Sequence, residues 1–285
     1  MKTSSLALRP IAIALLALTV GLLVAVLLWG RNAAEAAVEE GSQGSGAERC
    51  ELFDHEHRAW SRLLGRYVHS GVVDYASWKR SGEADLDAYL RSLQRVCSGA
   101  YETWSREEKL AFWINAYNAY TVRLVLDHYP LGSIREIGLL PGAAFRMHFI
   151  PMQRLRGRTL SLDDIEHGIL RKEFAEPRIH FAIVCASKSC PVLRAEAYRA
   201  EALEAELDDA ARTFLGDPNK NRYDAQTHTL WLSRIFDWFH EDFERSAGSV
   251  LAFVRKFMHP GGGQLPNADG LRIEYLDYDW ALNGR

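Results

Sequence analysis

The chain has 285 residues, 48% hydrophobic and 11% aromatic, with a formal net charge of −3. Aromatic side chains recur along most of its length, which excludes a disordered protein. No basic block stands out, which argues against a nucleic-acid partner, and no internal period marks a solenoid.

The N-terminal segment points to a membrane. Lys2 and Arg9 are the only charges before Arg31, and Pro10 to Trp29 is apolar apart from Thr19 and Gly21. A signal peptide carries an apolar core of about 7–15 residues, whereas a spanning helix needs about 20. The length therefore favours an uncleaved anchor, although Ala34-Glu35-Ala36 has the form of a cleavage site. Residues 1–31 read as a signal peptide or membrane anchor. The positive-inside rule keeps Lys2 and Arg9 in the cytoplasm and places the rest outside, anchored at the inner membrane or released to the periplasm. Residues 32–48 contain Gly41-Ser42-Gln43-Gly44-Ser45-Gly46 and read as a flexible linker. Residues 49–285 are enough for one hydrophobic core, or one core with a small lobe. With Lys2 and Arg9 set aside, 32 of the 34 basic side chains remain against 37 acidic ones, so this domain is mildly acidic.

The predicted elements follow in chain order. Glu51 to Tyr67 has a helical apolar pattern, Gly71 to Tyr75 reads as a short strand, and Leu86 to Val96 as an amphipathic helix. Ser105-Arg106-Glu107-Glu108 is a capping box that opens a long helix to about His128, stopped by Pro130. Arg154 to Arg158 reads as a turn, and Ser161 to Asp164 caps a short helix bearing Glu166, His167 and Leu170. Arg178 to Cys185 reads as a buried strand, and Ala195 to Phe214 as a helix. A strand at Leu230 to Leu232, helices at Arg234 to Phe243 and Val250 to Met258, and a strand at Ile273 to Leu276 complete the domain. Helices dominate over a small sheet, so the fold class is α+β.

Several polar residues stand out against this apolar background. The helix segment Ala111 to Tyr120 is apolar nearly all round, which predicts a central position. Asn115 and Asn118 interrupt it and share a face at i, i+3 spacing. Each either ties the helix to a neighbouring loop or lines a polar site and orients a catalytic group. Cys185 follows the predicted strand and precedes a small-residue turn, Ala186-Ser187-Lys188-Ser189-Cys190-Pro191. A thiol there can be activated by backbone N–H groups, a histidine or Lys188.

On a regular strand His180 would point away from Cys185 and lie about 16 Å from it, which disfavours it as a direct base. His167, on a separate element, carries no such restriction, and Glu166 beside it is a weaker orienter than Asn115. The four cysteines allow three pairings. Cys50–Cys97 is the favoured one, leaving Cys185 and Cys190 bridged to each other or free. A zinc set from Cys185, Cys190, His180 and His167 has a gap at the wide end of finger spacing, so no metal is assigned. With no phosphate loop, dinucleotide fingerprint or carboxylate metal cluster, no cofactor is assigned either. His55, His57, His69 and His228 read as surface residues, and Trp238 and His240 as packing.

These motifs carry a resemblance. Phe112 to Val122, Ser161 to Arg171, Arg178 to Pro191, Ile235 to Phe239 and Tyr275 to Asn283 resemble domain-of-unknown-function family 547, over about Val73 to Asn283. Val184 departs from the Asn common at its position in that family. The resemblance implies a family and a domain extent but no reaction, and it directs attention to Asn115, Glu166, His167, His180 and Cys185. Two functions follow as expectations. One is a cysteine-dependent hydrolase or acyl transferase, with Cys185 as nucleophile, His167 as base and Asn115 as orienter or oxyanion donor. The other is a non-catalytic envelope module that binds a partner, with a Cys185–Cys190 bridge and the polar residues as pins.

Overall fold

The computed structural model describes residues 50 to 284, apart from 51, 260, 262, 264, 267 and 268. The anchor and linker expectations, residues 1–31 and 32–48, lie outside the described residues. Among those described, no helix is long and apolar enough to cross a membrane.

The α+β class holds: helices predominate, with small two- and three-stranded sheets. The first half is helical. Helix α1 (Arg58–Tyr67) runs into the hairpin β1 (Val68–His69) and β2 (Val72–Val73), followed by α2 (Tyr75–Ser81) and α3 (Glu83–Gln94). Helix α4 (Arg106–His128) begins as its sequence predicts: Ser105 Oγ accepts the Glu108 N–H, and Glu108 returns a carboxylate to the Ser105 N–H. Its segment from Leu110 to Val122 is buried on every side, so α4 is the axis around which the larger apolar cluster forms. The Cys50–Cys97 disulfide ties the start of the domain to the end of α3. His57 is not a surface residue. It is buried and bonded to the Tyr89 hydroxyl at 2.7 Å within a ring of aromatic side chains, and burial pushes its imidazole down to about 3.

After the hairpin β3 (Ile150–Met152) and β4 (Arg158–Leu160), Ser161 Oγ accepts the Asp164 N–H, and the chain winds into a π-helix, Asp164–Phe174. The expected strand from Arg178 to Cys185 is absent. Pro177 opens a single helical turn instead, α5 (Ile179–Ala182), with the His180 N–H on the Pro177 carbonyl. A short apolar run does not by itself distinguish a strand from a buried helix, and proline suits a helix's first turn. Arg178, bonded to Glu176, Glu204 and Asp208, fixes the turn in place. The helix expected from Ala195 starts late, as α6 (Leu203–Gly216), because the Ala197 and Tyr198 N–H groups are taken by Ser61 and Asn115.

The C-terminal part builds a second, smaller apolar cluster. Strands β5 (Arg222–Asp224), β6 (Thr229–Leu232) and β7 (Arg272–Tyr275) form a sheet in that order, antiparallel then parallel. The helix expected from Arg234 to Phe243 breaks at Phe239 into α7 (Ile235–Trp238) and α8 (His240–Ala247), and α9 (Val250–Phe257) follows. Beyond β7 the chain returns to the first cluster as a strap, with Lys188, Ser189 and Asn283 joined to Ala281, Asp279 and Ala186 by backbone hydrogen bonds.

Candidate active site

The two apolar clusters meet at a cavity of about 180 Å³. Cys185, His180, His167 and Glu166 all line it. Four of the five residues singled out from the sequence thus converge, although three separate elements supply them.

Asn115 is the exception and does not line the cavity. Its Nδ2 donates to the Tyr198 carbonyl at 2.8 Å and its Oδ1 accepts the Tyr198 N–H at 3.0 Å. Both ends of the amide are used, so it pins α4 to the 195–199 segment instead of orienting a catalytic group. Asn118 makes the same clamp one turn on, donating to the Ala182 carbonyl at 2.9 Å and accepting the Val184 N–H at 2.9 Å. This second clamp fixes the backbone one residue ahead of Cys185. Ala186, one residue beyond, has φ +59°, a left-handed conformation costing a non-glycine residue about 1–3 kcal/mol. The thiol therefore sits on a sharp elbow, clamped before the bend by Asn118 and after it by the strap.

Cys185 and Cys190 are both free, so the expected bridge between them is not made. Instead Cys190 Sγ accepts the Cys185 N–H at 2.7 Å. Cys185 Sγ lies 3.1 Å from Ser187 Oγ and 3.3 Å from the Tyr278 hydroxyl. Burial pushes this thiol up, but hydrogen bonds from Cys190, Ser187 and Tyr278 outweigh it and bring the thiol down to about 7. Cys190 is driven the opposite way, chiefly by burial, and stays protonated.

The imidazole side of the cavity is held differently. Loss of the strand removes the alternation that turned His180 away from Cys185, and both face the cavity. His180 is buried, stacks on Phe239 at 4.0 Å between ring centroids, and places Nε2 2.8 Å from Asp242 Oδ2. Arg171 grips the same carboxylate at 2.6 Å and 3.2 Å. Burial holds His180 below the ordinary histidine range despite its carboxylate partner, so the ring is neutral near pH 7. Burial opposes the charge on Asp242, but hydrogen bonds from His180 and Arg171 prevail and keep its carboxyl well below the usual range.

His167 sits exposed at the rim, with Nδ1 3.1 Å from an Arg171 nitrogen. Among the described residues, no histidine nitrogen bonds to Cys185 Sγ. Glu166 accepts the Tyr117 hydroxyl at 3.2 Å, and burial, against that bond, pushes its carboxyl up to about 7.

Asp242, Tyr278, Ser187 and Tyr117 were not singled out in the sequence. A lone Asp on a polar helix or a Tyr in a loop carries no local signal, and each matters only through a partner distant in sequence. Trp238 also departs from expectation: it is 46% exposed and lines the cavity beside Tyr278 and Trp280. Residues 101–215 match the family model described as "Protein of unknown function, DUF547". This match is narrower than the stretch over which the motifs are legible, and it includes the thiol elbow but neither Asp242 nor Tyr278. No curated protein and no solved structure matches the chain.

Proposed function

We propose that this chain, a DUF547 domain-containing protein, is a cysteine-dependent hydrolase or acyl transferase whose nucleophile is Cys185. The observation that carries this reading is a thiol brought down to about 7 in the same cavity as a carboxylate-held imidazole. A thiolate is the competent nucleophile, and a neutral histidine oriented by a buried carboxylate is the usual means of accepting its proton. In this reading His180 is the base and Asp242 its orienter, the roles first expected of His167 and Asn115. Catalytic contacts are often long in an unliganded site and tighten around substrate, so the missing His180–Cys185 hydrogen bond is no objection.

The chemistry balances as follows. His180 takes the Cys185 proton, and the thiolate attacks a carbonyl carbon, forming a C–S bond while the π pair moves to oxygen. Collapse restores the carbonyl and expels the leaving group with its bonding pair. A proton from Glu166 or the His180 imidazolium neutralises it. Water or an acceptor nucleophile then releases the acyl group and returns the thiol.

Export through the N-terminal segment belongs to the same proposal. The Cys50–Cys97 disulfide supports it, since disulfides persist in oxidising compartments. The alternative, a binding module without catalysis, draws support from Asn115 and Asn118 serving as pins. Labelling of the full-length protein with an iodoacetamide probe, before and after reductant, decides between them. Fast labelling of Cys185 in the native fold, slowed by His180→Ala, is the expected result. A reduced Cys185 that resists the probe overturns the enzyme reading.

A further inference from the structure

A thiol enzyme needs donors for the negative charge that gathers on the substrate carbonyl oxygen, and backbone N–H groups beside the nucleophile commonly serve. Here the Cys185 N–H is already spent, donated to Cys190 Sγ at 2.7 Å. Cys190 is buried, so water cannot readily displace it. Two hydroxyls face the sulfur instead: Ser187 Oγ at 3.1 Å and Tyr278 OH at 3.3 Å, themselves 3.5 Å apart.

We infer that the Tyr278 hydroxyl, assisted by Ser187, is the oxyanion donor of the acyl-transfer step, so that the 276–284 strap completes an active site lying otherwise in the 101–215 stretch. This rests on the thiol-enzyme reading and adds to it. In the resting site both hydroxyls bond the sulfur. As the C–S bond forms, negative charge leaves sulfur for the carbonyl oxygen. That oxygen lies two bonds from sulfur, within the sweep of the same hydroxyls, which lose one acceptor as they gain the other. Burial and the neighbouring thiols keep the Tyr278 phenol protonated, as a donor must be. The strap is seated firmly enough to hold it: Asp279 N–H donates to Ser189 Oγ at 2.8 Å, Ser133 Oγ donates to the Trp280 carbonyl at 2.7 Å, and the Tyr75 hydroxyl donates to Asn283 Oδ1 at 3.0 Å.

The test separates two reactions of one thiol. Acylation by p-nitrophenyl acetate passes through an oxyanion, whereas alkylation by iodoacetamide does not. In the full-length protein, Tyr278→Phe should lower the acylation rate about 10²- to 10³-fold with KM little changed, the loss typical of one oxyanion donor. The limiting alkylation rate of Cys185 at high pH, where the thiol is fully ionised, should stay within about threefold. Ser187→Ala, which leaves the aromatic packing around Tyr278 intact, should lower acylation about tenfold with the same unmoved alkylation, and it stands in if the tyrosine variant misfolds. Acylation and alkylation falling together, or neither falling, overturns the assignment. A wild-type Cys185 that is neither acylated nor alkylated overturns the thiol-enzyme reading itself, a distinguishable failure.

Discussion

The two sides of the cavity are built on opposite principles. On the thiol side, Cys185 is surrounded by neutral groups: a second thiol and two hydroxyls, held by backbone clamps. On the imidazole side, His180 belongs to a charged chain in which Arg171 and Asp242 share one carboxylate. The thiol side is tuned by hydrogen bonds that follow the charge as it moves. The imidazole side is fixed by an ion pair that the reaction leaves in place. A nucleophile gains from adjustable neighbours, and a base gains from a rigid one.

Substitutions can break this comparison from either side. Cys185→Ala should abolish turnover of p-nitrophenyl acetate, a fall of about 10³-fold or more, while shifting stability by no more than about 1 kcal/mol in denaturant titration. Asp242→Asn should lower the acylation rate about 10²-fold by releasing His180, and should also destabilise the fold by leaving Arg171 without its carboxylate. A thiol-side and an imidazole-side variant would then differ in kind, the first losing activity alone and the second losing both.

pH sharpens the contrast. Acylation needs Cys185 ionised and Glu166 protonated, and both titrate at about 7, so the rate should peak near neutrality and fall on either side. Glu166→Gln should remove the alkaline fall. Asp242 behaves oppositely. A carboxyl held low in the folded state stabilises it above the unfolded-state value of about 3.9, and that contribution is lost as pH falls further. Melting temperature should therefore drop between about pH 5 and pH 3, and Asp242→Asn should flatten that drop.

The asparagines grade the thiol side. Asn115→Ala and Asn118→Ala should each cost about 1–3 kcal/mol in denaturant titration, because each leaves buried backbone groups unpaired. Only Asn118→Ala should also slow Cys185 labelling, since its clamp ends one residue before the thiol. The smallest effect is expected of His167→Ala, under about tenfold in acylation, with its ring at the rim bonded to Arg171 rather than to sulfur.

Much of this was legible in the sequence, and the gaps have physical reasons. The α4 helix, its capping box and its burial follow from local spacing and apolarity alone. The Cys50–Cys97 bridge and four of the five cavity residues could be named because they lie within motifs. The Arg178–Cys185 run misled because a buried single-turn helix and a buried strand share one apolar pattern. That error turned His180 away from Cys185 on paper and passed its role to His167. Asn115 looked functional because a buried amide must find partners, and the sequence does not say that both partners belong to Tyr198. Asp242 and Tyr278 were missed because their roles depend on contacts 62 and 93 residues away.

The π-helix from Asp164 to Phe174 has a consequence of its own. It carries Glu166, His167 and Arg171 toward three separate partners: Tyr117, the cavity rim and Asp242. Wide helical turns of this kind hold one more residue than an α-helix would use over the same rise. Deleting a single residue would let the segment relax to ordinary winding and rotate everything beyond it by about 100°. This wall is thus locked by residue count more than by residue type, and it should tolerate many point substitutions while rejecting the shortest deletion.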